Sequence, residues 1–93
     1  MHMIISCFDK ETEKVLNRIP SRKFAAIQDR AEERLAQLNA AISLEDLSLP
    51  SMRLKKLKGD RKRQHSIRIN DQYRICFEWR EGNAHRVEIV DYH

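Results

Sequence analysis

Glycine and proline are scarce in this 93-residue chain, two of each, which argues against a disordered or collagen-like polymer. No apolar run approaches the roughly 18 residues that a membrane span requires, and no charged segment followed by a signal-peptide core opens the chain. A cytoplasmic protein with no membrane partner is expected. Its two cysteines, Cys7 and Cys76, lack CxxC spacing, and the four histidines are scattered, so there is no zinc signature. Reduced, core-packed thiols are expected, with no metal and no other cofactor. Linkers, repeats and low-complexity tracts are missing too. A chain this short buries about 60 to 65% of its unfolded surface and cannot supply two cores. One domain over residues 3–93 is expected, with Met1-His2 as an added leader before a natural start at Met3.

Charge is present, and it is unevenly placed. Residues 1–50 carry seven Lys/Arg against eight Asp/Glu, residues 51–80 carry ten against three, and residues 81–93 carry one against three. The positive excess therefore sits in one third of the chain. Such a block suits a phosphate-bearing partner, because each phosphate neutralised releases counterions. It also reads as a solvated face or as a docking patch for an acidic protein.

Apolar spacing sets out the elements. Met3 to Phe8 reads as a short strand; Asp9 suits the N-cap of a helix over Lys10 to Arg18, and Pro20-Ser21 breaks the chain. Phe24, Ile27, Ala31, Leu35 and Leu38 then recur at helical spacing, giving a second helix over Arg22 to Ala41. Ser43 and Asp46 stand at capping distance ahead of Pro50. Arg53 to Lys58 is a basic strand or edge leading into a Gly59-Asp60 turn. Alternation marks Ser66 to Ile69, Tyr73 to Arg80 and Ala84 to Tyr92 as strands, joined at Asn70-Asp71-Gln72 and Gly82-Asn83. The class is α+β, in the order β-α-α-β-β-β, with an antiparallel sheet packed against two N-terminal helices.

A hairpin centred on Asp71 pairs Ile67 with Ile75 and Arg68 with Arg74, setting the two arginines side by side on the face away from the apolar residues. Like charges opposite one another cost up to about 1 kcal/mol, so a phosphate between them is the natural guest; splaying into water or pairing with Glu78, Glu88 or Asp91 is the other outcome. The chain closes on Asp91-Tyr92-His93. Cutting RNA without metal needs a group to take the 2′-OH proton, cations for the phosphorane and a donor for the departing 5′ oxygen, and His, Arg, Lys and Tyr can fill these roles. Strict strand parity sends Tyr92 to the Arg74 side but Asp91 and His93 to the other.

The sequence resembles the HigB-type (host inhibition of growth, or plasmid maintenance killer) toxins of the RelE-like superfamily. The likeness runs from Met3 and rests on Arg53-Leu54, Leu57-Lys58-Gly59-Asp60-Arg61, Ser66-Ile67, Tyr73-Arg74-Ile75 with Phe77, and Glu88 to His93. It implies a RelE-like fold and a type II toxin that inhibits translation as a ribosome-dependent mRNA endoribonuclease, an mRNA interferase acting at the A-site codon. The implied partners are the ribosome and mRNA, and a HigA-type helix-turn-helix antitoxin through whose complex alone the toxin meets operator DNA. Carried over by position, Arg74 clamps the scissile phosphate, Lys58 adds a phosphate contact, and Asp91, Tyr92 and His93 form the acid/base and orienting cluster. Lys55 stands where some relatives place a histidine, leaving the proton-transfer roles open between Lys55 and His93. Arg53, Lys56, Arg61, Lys62, Arg63 and Arg68 would grip RNA with little sequence reading.

Fold alone leaves another class open: a non-catalytic RelE-fold toxin that disables a protein such as gyrase, or a small RNA-binding protein. The joint presence of Arg74 and the terminal Asp-Tyr-His favours catalysis. Loss of Arg74 or His93 is expected to relieve toxicity with the fold intact, on the expectation that both lie at or near the surface.

Overall fold

In the computed structural model, which describes residues 4–92, Asp9 opens helix α1 (Lys10–Leu16). Its backbone is extended, and its carboxylate accepts from the Thr12 N–H at 2.7 Å, satisfying one of the donors that a helix start leaves free. Helix α2 (Gln28–Ala40) begins later than the apolar spacing suggests. Phe24 and Ile27 are buried as expected, yet their φ angles of −113° and −122° lie outside the helical range, and the chain runs from one to the other through a short 3-10 turn (Ala25–Ile27). The Gln28 side chain holds the bend, accepting from Ser21 N–H at 3.1 Å and donating to the Ile19 carbonyl at 3.2 Å.

Between α2 and the sheet the chain makes two more 3-10 turns. The Asp46 carboxylate accepts from the N–H groups of Ile42 and Ser43, the capping arrangement that the Ser43/Asp46 spacing predicts, over Leu44–Leu47. The second turn, Pro50–Met52, ends at Arg53, whose φ of 46° places it in the left-handed region.

Four strands follow: β1 (Lys55–Lys56), β2 (Gln64–Arg68), β3 (Tyr73–Arg80) and β4 (Asn83–Asp91), antiparallel and in sequence order. The expected register holds, with Ile67 opposite Ile75 and Arg68 opposite Arg74. The next hairpin turns on Glu81 and Gly82, both at positive φ, which is the backbone a two-residue connection needs and which glycine supplies without strain. At its start the chain differs from the expected strand. Ile4 and Cys7 make isolated parallel bridges to Ala84 and Val87, so the segment lies along the open edge of β4 without forming a ladder. Met3 lies outside the described residues.

One irregularity decides what each face carries. Cys76 faces Glu88 while Glu78 faces His85, so two steps along β3 match three along β4. Arg86 sits in this bulge at φ 52°. The extra residue lets Ala84 and Val87 both point into the core and sends Glu88, Val90 and Tyr92 to the opposite face.

The core lies between the helices and one face of the sheet. Val15, Phe24, Ala31, Leu35 and Leu38 meet Ile67, Ile75, Phe77, Val87 and Ile89, and Leu47 and Met52 belong to the same cluster. Each fully buried large side chain here contributes about 1.5 to 3 kcal/mol relative to exposure. Thr12, wholly buried, accepts from the Ile89 N–H at 3.1 Å and so ties α1 to the strand that ends at the candidate site. Among the described residues no helix is long and apolar enough to cross a membrane.

Candidate active site

Because Ile67, Ile75 and Ile89 form one core-facing row, the rows on either side of it point away from the helices. One is Arg68, Arg74 and Val90; the other is Lys55, Ser66, Cys76 and Glu88. On a two-layer fold this face would ordinarily be wet. Here Ser66, Cys76 and Arg74 are buried, Arg74 to 8% exposure. Arg74 therefore keeps the face that strand parity assigns it but does not lie at or near the surface, contrary to expectation. Tyr92 folds over it, and Arg61 reaches across to Glu88, so the basic segment and the chain's end cover part of this face.

Arg74 is held by groups distant in sequence. Its Nε donates to Ser66 Oγ at 2.9 Å, and its Nη2 donates to the Arg53 carbonyl at 2.7 Å and to the Ser66 carbonyl at 3.5 Å. Nη1 takes no part in these bonds. Its Cζ lies 5.7 Å from the centre of the Tyr92 ring, within cation–π range. Burial pushes the guanidinium below the usual arginine range; Tyr92 and Cys76 oppose that shift, and Arg68 and Arg53 add to it. An arginine is still a cation at neutral pH, so the site holds a partly desolvated positive charge, which attracts an anion more strongly than a hydrated one does.

Beside it, Lys55, Lys56, Leu57, Lys58, Arg61 and Tyr92 line a hollow of about 430 Å³. That volume lies in the range of small-ligand sites. Arg61 is fixed by Gln64 Oε1 at 2.9 Å and Glu88 Oε1 at 3.1 Å. Tyr92 is half-exposed, and its N–H donates to the Gln72 carbonyl at 2.6 Å, which anchors the chain's end at this point. Beneath lies Cys76, its thiol pushed up by burial, with Arg61 and Arg74 pulling the other way and Glu88 adding to the rise.

The structure brings together Arg74, Tyr92, Lys55, Lys56, Lys58 and Arg61. Arg68 stands next to Arg74 as expected, but it is paired with Asp71, an acidic partner that sequence reasoning did not name. Arg53 contributes its backbone carbonyl to Arg74. Lys62 and Arg63 are exposed beyond the hollow's lining. Asp91 is opposite Tyr73, whose ring packs on Phe24, and it accepts from Gln72 Nε2 at 3.2 Å. It therefore stays on the side that parity assigns it, away from Arg74. His93 lies outside the described residues. Ser66, Gln64 and Glu88 went unrecognised as site residues, and Ser66 was within reach, since the hairpin register makes it the diagonal neighbour of Arg74. Among the described residues no group of three His, Cys, Asp or Glu side chains is placed to hold a metal ion.

A sequence model described as the RelE-like toxin of the type II toxin-antitoxin system HigB matches residues 8–93. The chain belongs to this HigB-like toxin family. It is 34% identical to the Endoribonuclease HigB of Proteus vulgaris over 65 residues, 70% of this chain and 71% of that protein. It is 37% identical to Toxin HigB-1 of Vibrio cholerae over 75 residues, 80% of this chain and 75% of that protein. Two helices followed by a four-stranded antiparallel sheet are consistent with the RelE-like fold of this toxin family.

Proposed function

We propose that the endoribonuclease activity of this toxin is exercised on mRNA held in the A site of the ribosome, without a metal ion, and that Arg74 and Tyr92 are its centre. The observation that carries this reading is the buried Arg74 guanidinium, fixed by Ser66 and Arg53 and covered by Tyr92, at the side of a basic hollow.

The chemistry follows from the groups present. A 2′ oxygen attacks the adjacent phosphorus as its proton leaves; the P–O5′ bond breaks, and the departing oxygen takes a proton, leaving a 2′,3′-cyclic phosphate and a 5′ hydroxyl. Arg74, with Lys55 and Lys58, offsets the charge that builds on the phosphorane. Tyr92 stacks on a base or delivers a proton to the leaving oxygen, and His93 is the titratable group whose ordinary pKa suits proton transfer near neutrality. Lys55 is exposed, so a cationic role fits it better than that of a base. Asp91 orients the chain's end through Gln72. Arg53, Lys56, Arg61, Lys62, Arg63 and Arg68 supply the positive field that holds ribosomal RNA, a contact with backbone and not with sequence.

The family is one of two-component systems, so an antitoxin partner follows. In this reading it is a HigA-type helix-turn-helix protein, the complex alone meets operator DNA, and the toxin works in the cytoplasm, where translating ribosomes are.

The test is cleavage of a defined mRNA on purified, programmed ribosomes, with the chelator level set so that ribosomes stay intact. Cuts within the A-site codon, bearing 5′ hydroxyl ends and insensitive to chelation, are expected. Arrest of translation with uncut mRNA would replace this reading with that of a binding toxin.

A further inference from the structure

One acidic side chain, Glu88, touches the basic hollow through the lining residue Arg61, and the chemistry described above leaves it without a task. Glu88 stands on β4 opposite Cys76, in the row that also carries Ser66 and Lys55. The bulge at Arg86 is what turns it to this face. Its Oε1 lies 3.1 Å from Arg61 Nη1, and the same nitrogen donates to Gln64 Oε1 at 2.9 Å. The Glu88 side chain is 19% exposed and Arg61 is 37% exposed, so the pair is better shielded than an ordinary surface contact.

We infer that Glu88 is a positioning residue: together with Gln64 it holds Arg61 at the wall of the hollow that Tyr92 also lines, so that this guanidinium, beyond its share in the positive field, meets the mRNA phosphate from a fixed place. Arg61 is the last residue of the Gly59–Arg61 turn, and its side chain is long enough to point into solvent unless something holds it. Its guanidinium is tied to the sheet by two contacts, one from Gln64 on β2 and one from Glu88 on β4. Lys55, Lys58 and Arg61 crowd positive charge around one hollow, and a carboxylate beneath them lowers their mutual repulsion while no RNA is bound. A guanidinium bonded at one nitrogen keeps its other donors for phosphate, which accepts them in a planar, two-point contact.

This inference rests on the reading of the hollow as the nuclease site, and it separates binding from turnover. A carboxylate near RNA repels it, so Glu88→Ala leaves KM for programmed ribosomes unchanged or lower. Arg61 is no longer placed, so the single-turnover rate falls about tenfold. Glu88→Gln, whose amide oxygen still accepts from Arg61, recovers most of that rate. Arg61→Ala loses as much as Glu88→Ala, and the double variant loses no more than either, as expected for residues acting as one unit.

The experiment is single-turnover cleavage of mRNA on programmed ribosomes by the intact toxin and these four variants, with Arg74→Lys as reference and urea unfolding of each protein alongside. Three results would overturn the inference: Glu88→Gln as inactive as Glu88→Ala, which would make the carboxylate itself a proton carrier; additive losses in the double variant; or an unchanged rate in Glu88→Ala while Arg74→Lys is impaired. If Arg74→Lys also cleaves at the full rate, the nuclease site lies elsewhere and the inference falls with it. Glu88→Gln preserves the shape of the side chain, so the question stays answerable if Glu88→Ala fails to fold.

Discussion

The Tyr92 ring lies over the Arg74 guanidinium, with Cζ 5.7 Å from the ring centre, while the Tyr92 backbone is fastened to the β2–β3 turn through the Gln72 carbonyl at 2.6 Å. The end of the chain is thus tied to the hairpin that carries the arginine, and both partners are set before RNA arrives. A site organised this way loses little free energy to ordering when substrate binds.

The buried hydrogen bonds of Arg74 make its replacement a question of fold as well as of chemistry. Arg74→Ala leaves Ser66 Oγ and the Arg53 carbonyl without their donor, at a cost of about 1 to 3 kcal/mol. Arg74→Lys keeps the charge but not the fork, and cleavage is expected to fall by about a hundredfold with the protein still folded. Urea unfolding run beside the cleavage assay separates the two effects.

Tyr92 has two separable properties, a ring and a hydroxyl. Tyr92→Phe keeps the stack on Arg74 and removes the proton; a drop of about ten- to a hundredfold in the single-turnover rate is expected if the hydroxyl serves the leaving oxygen. Tyr92→Leu loses both and should fall further. Equal rates for Tyr92→Phe and the unaltered toxin would confine Tyr92 to stacking.

Arg53 tests backbone against side chain. Its carbonyl holds Arg74, and its φ of 46° belongs to the region that glycine enters freely. Arg53→Gly should fold at least as stably and keep cleavage within about tenfold of the unaltered toxin, since one backbone-gripping cation among several is lost. Arg53→Val should be the less stable of the two variants, because a β-branched side chain enters that region least readily. Thermal unfolding of the two variants would show the order.

How far the sequence carried the structure depends on whether an interaction is local. The Arg68–Arg74 pairing was legible because alternation on both strands and the Asn70-Asp71-Gln72 turn fix one register. The parity of Asp91 and Tyr92 was legible for the same reason. Burial of Arg74 was not, because its cover comes from the Arg53 carbonyl and Tyr92, which strand periodicity does not relate to it. The bulge escaped notice since arginine carries no preference for the left-handed angle it adopts there. Helix α2 starts later than its apolar spacing indicates because Phe24 and Ile27 satisfy helical spacing through burial alone.

His65 supplies a pH prediction. It stacks on Phe77 at 6.1 Å, its Nδ1 is buried without a hydrogen-bond partner among the described residues, and burial, then the charge of Lys56, lowers its pKa below 6.5. The folded state therefore takes up this proton less readily than the unfolded state does. Stability tied to neutral His65 is present above about pH 6.5 and declines as pH falls through the lower value of the fold. His65→Phe should flatten that acid dependence and gain about 1 kcal/mol at neutral pH by removing the unpartnered nitrogen. Urea unfolding across the acid range checks both.

The most direct measurement is the mapping of mRNA 5′ ends after brief induction of the toxin, with Arg74→Lys induced in parallel. New ends bearing 5′ hydroxyls, confined to translated codons and strongly reduced in the variant, are the expected result. Growth arrest with no new ends, or ends spread equally over untranslated RNA, would contradict a ribosome-dependent nuclease centred on Arg74.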